Sequence, residues 1–228
     1  MTLTLLGLAL TVLAYALSRW INRRYPSPLT VPVLLSTPMV MVAIMLAGSG
    51  LDGYRGASDA ITWWLGPATV SLAVPLHRHR QVLLDHGVRV AAAVVGGTLV
   101  AMVTAVTLAR LLGLDVPLQA ALGLKSATAP VAIALAHQVG ADAPVVAGIV
   151  VASALLGTIV GPSLLTHLGI RSPLGRGLAL GTISSGQGVA QAFREGELTG
   201  AIASVAMALA AVAVALLALP LALCLVHS

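Results

Sequence analysis

Apolar residues fall in eight stretches, at about 2–20, 29–48, 61–76, 87–112, 118–138, 143–167, 177–193 and 199–226, with polar residues gathered in the short joints between them. Most stretches approach or exceed the roughly 20 residues that a helix rising 1.5 Å per residue needs to cross about 30 Å of hydrocarbon. Backbone in that layer must satisfy its own hydrogen bonds, which leaves helices or a closed barrel. Barrel strands would read as alternating segments of about 10 residues, and no such alternation is present. The pattern predicts an all-α, polytopic membrane protein of seven or eight segments. Residues 1–228 form a single integral membrane domain with no room for a soluble module.

Composition sharpens the picture. Hydrophobic residues make up 58% and charged residues 8% of the 228, where a water-soluble domain carries about a quarter charged. Lipid is therefore the expected solvent. The net charge of +5 does not imply nucleic acid, because the basic residues form no stripe with interleaved aromatics. They cluster in joints, as the positive-inside bias predicts for cytoplasmic loops. Cys224 is the only cysteine, which excludes an internal disulfide and a thiolate metal site. Trp20, Trp63 and Trp64 suit interfacial anchors, and the glycine-rich joint 49–59 reads as turn chemistry. With no Ser-His-Asp spacing, zinc motif or nucleotide loop, neither an enzyme nor a cofactor is expected.

Orientation carries a structural consequence. Placing Arg19, Arg23, Arg24, Arg78, Arg80 and Arg89 in the cytoplasm puts Arg171 and Arg176 outside if 118–138 crosses fully, and inside if it dips in and returns. The re-entrant alternative makes 143–167, 177–193 and 199–226 run opposite to 29–48, 61–76 and 87–112. That is an inverted repeat with halves 1–112 and 113–228. A weak likeness between Leu65-Gly66-Pro67-Ala68-Thr69-Val70 and Leu180-Gly181-Thr182-Ile183-Ser184-Ser185 supports it. Paired, interrupted segments of this kind point to a transport site, although small residues also serve plain helix packing.

Lys125 is the only lysine and lies within 118–138, where a lysine at a helix centre costs roughly 2.5–3.5 kcal/mol on insertion scales. All acidic residues fall in or beside the joints, so an anionic ligand is the natural counterion. Pro130 removes a donor and disfavours helix at Ala129, Ser126 and Thr128 add hydroxyls, and a helix restarting there would aim its positive end at the break. The polar run from Gly181 to Gly188, with Thr182, Ser184, Ser185 and Gln187, is placed to complete the ligand's shell. Thr69 and Gln191 are more distant candidates. A lysine snorkelling from a shallow segment is the bland alternative.

The blocks Leu65-Gly66-Pro67-Ala68-Thr69-Val70-Ser71-Leu72-Ala73-Val74-Pro75-Leu76 and Lys125-Ser126-Ala127-Thr128-Ala129-Pro130-Val131-Ala132, together with Tyr54, Arg176-Gly177-Leu178-Ala179-Leu180-Gly181-Thr182 and Gly200-Ala201, resemble the LrgB (CidB, antiholin-like) family, which includes plastid glycolate and glycerate carriers. The resemblance covers nearly the whole chain. It implies a bacterial plasma-membrane protein that exports or exchanges small monocarboxylates such as glycolate, glycerate, lactate or pyruvate, often beside a small LrgA-like membrane partner or as a homo-oligomer. Older descriptions of the family imply instead control of murein hydrolase export and cell lysis. This chain departs from the family at Ser185 and Gln191, where histidine and arginine are usual.

Overall fold

The computed structural model describes residues 2–25, 27, 30–48, 50–71, 74, 77, 81 and 85–226, with side chains described for all of these except 2, 50, 51, 65, 66, 68, 69, 71 and 221–226. It is all-helical, and four helices among the described residues are long and apolar enough to span a membrane, at Leu3–Arg24, Gly87–Leu111, Ala143–His167 and Glu197–Pro220. The chain divides into two compact units, Met1–Ala73 and Val74–Ser228.

The first unit holds α1 (Thr2–Arg24), α2 (Pro32–Leu46) and α3 (Gly50–Ser71). Small residues let α1 and α3 approach closely: a Cβ on Gly7 would lie 2.6 Å from the Ala57 Cβ, and one on Gly56 would lie 2.6 Å from the Thr4 hydroxyl. The Thr11 hydroxyl and the Tyr54 phenol share a 2.7 Å hydrogen bond across the same interface. The sequence pattern made 49–59 a loop, whereas Gly50, Gly53 and Gly56 lie inside α3. Close helix packing outweighs the intrinsic cost of glycine in a helix here.

The second unit is built from α4 (Gly87–Leu111), α5 (Val116–Gly123), α6 (Ala129–Ala136) with a 3-10 turn at His137–Val139, α7 (Ala143–His167), α8 (Pro173–Glu195) and α9 (Glu197–Val226). Helices α4 and α7 end in paired turns: Gly113 and Gly169 sit at φ +72° and +73°, and the next amides, Leu114 and Ile170, reach back to the Ala109 and Leu165 carbonyls. Glycine adopts this left-handed conformation without penalty and closes the helix C-terminus.

Between the long helices lie two helical hairpins. Stretch 118–138 is two eight-residue helices separated by a break at 124–128, and the 3-10 turn that follows α6 packs back against α5. The chain thus turns back on itself within this stretch. Stretch 177–193, expected to be one crossing, also reverses. The Arg176 guanidinium bonds both carboxylate oxygens of Glu195, at 2.6 and 2.9 Å, although 19 residues of straight helix would hold those positions about 28 Å apart. The reversal falls at Ser185, whose backbone is non-helical at φ 47°, ψ −135°. Chain 186–195 then returns along 173–184, bringing Gly188 against the Leu180 carbonyl and the Ser184 Cβ. The expected succession of crossings 143–167, 177–193 and 199–226 therefore loses its middle member.

The two hairpins enter the unit from opposite ends. The first opens where α4 finishes and α7 begins; there Met102, Val106, Val146, Val150, Val214 and Ala218 pack with its Ala120, Leu124 and Ala136. The second opens where α7 finishes and α9 begins. Outward, α4, α7 and α9 present exposed apolar side chains such as Val100, Leu156 and Leu216, as lipid-facing helices do.

Candidate functional site

The sequence between α5 and α6 cannot continue a helix. Pro130 stands in the first turn of α6, and Thr128 before it is extended at φ −73°, ψ 148°. Residues 124–128 are left as an irregular turn within the apolar interior of the unit. Lys125 is half-buried in that turn, and its backbone amide bonds the Leu122 carbonyl at 3.3 Å. Among the described residues its ammonium has neither an ion pair nor a side-chain hydrogen bond. The charge is thus held where polar partners are scarce, and no carboxylate among the described residues of the second unit neutralises it.

Its neighbours are also short of partners. Ser126 is 2% exposed and its hydroxyl has no hydrogen bond. Thr128 does not use its side chain to cap α6, so the first amides of that helix lack this satisfaction. Across the gap stands the second break. The Ser185 hydroxyl donates to the Ala127 carbonyl at 3.1 Å, joining the tips of the two hairpins. Beside that contact, Ser184 is fully buried against Gly157 of α7, and its hydroxyl and the Gln187 amide oxygen are both unpartnered.

The structure brings together both polar runs singled out in the sequence. Lys125, Ser126 and Thr128 occupy one tip; Thr182, Ser184, Ser185 and Gln187 line the other. Pro130 shapes the first tip and is itself exposed. Gln191 lies on the returning arm, six residues or about 9 Å of helix beyond Ser185, and so stands away from the tip contact. The Thr69 side chain lies outside the described residues. His137 is exposed at the mouth of the first hairpin.

The Arg176–Glu195 clamp went unread in the sequence. Arg176 also donates to the Thr166 hydroxyl at 3.1 Å and to the Ile170 and Pro162 carbonyls at 3.0 and 3.3 Å. Donating its hydrogen bonds to the Glu195 carboxylate raises the affinity of the guanidinium for its proton above that of an ordinary arginine. Its sequence signal was a pair of opposite charges flanking a Gly-rich apolar run, which is visible only once the run is known to fold back.

Long apolar helices, two opposed broken hairpins and an uncompensated lysine at their junction define a polytopic membrane protein with a polar centre inside an apolar body. Residues 11–224 match the LrgB-like family, and the chain belongs to it. It is 34% identical to the Bacillus subtilis uncharacterized protein YxaC over 87% of this chain and 86% of that one. It is 26% identical to the holin-like protein CidB of Staphylococcus epidermidis, covering 89% and 88% of the two chains. The antiholin-like protein LrgB of Bacillus subtilis is 24% identical, over 77% and 76%. No solved structure matches.

Proposed function

We propose that this protein is a secondary carrier of small monocarboxylate anions, of the glycolate, glycerate, lactate or pyruvate kind, in the bacterial plasma membrane. The observation that carries this is Lys125. A half-buried ammonium without an acidic partner, next to the unpartnered Ser126 hydroxyl and the N-terminus of α6, has the donor set of a carboxylate site. The facing tip supplies Ser184, Ser185 and Gln187 for the remainder of the ligand. Broken helices meeting inside a membrane body are the usual place for such a site, and two hairpins entering from opposite ends give each face of the membrane its own route to it. A small LrgA-like membrane protein or a second copy of the chain is the partner expected from the family.

A second reading draws support from the relatives named holin-like and antiholin-like: a membrane regulator of murein hydrolase export and lysis that moves no solute. Uptake of labelled carboxylates into proteoliposomes separates the two. A carrier gives saturable flux that Lys125→Ala abolishes, together with a carboxylate-dependent rise in thermal stability that the same substitution removes. Dye leakage without saturable flux supports the regulator, and equal flux in the two proteins removes Lys125 from the mechanism.

A further inference from the structure

The second unit repeats itself. Helices α4 and α7 are each 25 residues long and begin 56 residues apart, at Gly87 and Ala143. The same displacement carries Pro117 to Pro173, Leu124 to Leu180, the turn Gly113 to Gly169 and the turn Gly140 to Gly196, and all four glycines have positive φ. It also carries the end of the first hairpin, Val139, to the end of the second, Glu195. Each copy is a long helix followed by a hairpin. Because the hairpins open at opposite ends, the copies are inverted with respect to one another.

Residues that differ between the copies show which hairpin is held. Arg176 and Glu195, the clamp of the second hairpin, correspond to Ala120 and Val139, which contribute only to an apolar cluster. Gly177 and Gly181 let the second hairpin lie directly on the α9 backbone: a Cβ on Gly177 would stand 2.6 Å from the Thr199 carbonyl oxygen, and one on Gly181 would strike that of Ala203. Their counterparts are Ala121 and Lys125, which carry side chains. Arg176 further ties the second hairpin to α7 through Thr166 and Pro162. Among the described residues, no residue of 116–139 joins an ion pair, and the Gln119 amide bonds only the adjacent Leu114 carbonyl.

We infer that these copies form an inverted repeat with unequal halves, in which Arg176 is a positioning residue that fixes the second hairpin to α7, while the first hairpin, bearing Lys125, is the part that moves. The tip contact between Ser185 and Ala127 is then the one that breaks and reforms, and the Lys125 site opens toward the end marked by Gly113 and Gly140. The functional consequence rests on the carrier reading; the mechanical asymmetry does not.

Hydrogen exchange on the purified full chain reads that asymmetry without any substrate. Amides of 173–195 should exchange at least about tenfold more slowly than those of 116–139, since exchange reports local opening. Arg176→Ala or Glu195→Gln should bring the two hairpins level while α4 keeps its protection. Equal protection in the intact protein, or a better protected first hairpin, overturns the inference.

Paired cysteines in a Cys224→Ser background then test its consequence for flux. Thr166→Cys with Arg176→Cys should be impaired as free thiols and restored when a short bifunctional thiol reagent spans the reach of the lost guanidinium, because that crosslink replaces the clamp. Ala127→Cys with Ser185→Cys is compared only with itself: whatever fraction of the parent flux the reduced protein keeps should stop on oxidation and return on reduction. Flux that survives the tip crosslink, or is not restored by the α7 crosslink, overturns the assignment of the moving part. An uncrosslinked parent without flux defeats the carrier reading instead, and the exchange result still decides the hairpin asymmetry.

Discussion

Gly181→Ala is the sharpest probe of how the second hairpin is seated. A Cβ at this position strikes the Ala203 carbonyl oxygen and lies 2.8 Å from the carbonyl carbon and Cα of the same residue. These are backbone atoms of α9, so no rotamer change relieves the overlap and the two helices must separate. Overpacking of a filled interior costs about 1–3 kcal/mol, and a clash with backbone lies toward the upper end. Alanine also gains about 1 kcal/mol over glycine in a helix, which partly hides the cost. Gly148→Ala removes that ambiguity: it lies inside helix α7 of the same unit, has no heavy atom within 4 Å of the added Cβ, and carries the same propensity gain. The difference between the variants isolates the clash at about 2–3 kcal/mol, or roughly 4–12 °C in midpoint for a chain of this size. Thermal unfolding of the two purified variants, followed by far-UV circular dichroism or aggregation in one detergent, measures it. Equal midpoints would refute the close seating of the hairpin on α9, and with it the helix reversal at Ser185.

Ser185 carries a side chain at a positive φ, a conformation costing on the order of 1–3 kcal/mol outside glycine, while its hydroxyl contributes about 0.5–1.5 kcal/mol through the Ala127 bond. Ser185→Ala should therefore lower the melting temperature, and Ser185→Gly should melt above Ser185→Ala; the opposite order would count against the kinked geometry. Lys125→Met should leave the ligand-free protein at least as stable, because insertion scales charge roughly 2.5–3.5 kcal/mol to a buried lysine, yet carboxylates should no longer raise its midpoint. Tyr54→Phe should cost about 0.5–1.5 kcal/mol in the first unit by removing the hydrogen bond to Thr11, whose hydroxyl keeps its bond to the Gly7 carbonyl, with carboxylate binding unchanged. Denaturation and ligand titration of the same samples check both halves of each expectation.

The sequence by itself determined the membrane solvent, the helical class and the places where regular helix fails. An apolar chain with few charges and no ten-residue alternation is helical in lipid, Pro130 and the Gly181–Gly188 run cannot sustain regular helix, and a lone lysine among apolar residues marks itself. Those are local properties, readable from composition, period and the covalent limits of proline and glycine. What the tertiary structure decided were the relations between distant residues. Glycines 50, 53 and 56 looked like a turn until α1 was seen to press on α3, and 177–193 looked like a crossing until Arg176 met Glu195. The reversal at Ser185 depends on contacts between positions 19 apart and on the open backbone of α9, neither of which leaves a periodic trace in the chain. The direction in which a broken helix continues is fixed by what it packs against, and for this protein that fact separates a row of crossings from two hairpins meeting beside a half-buried charge.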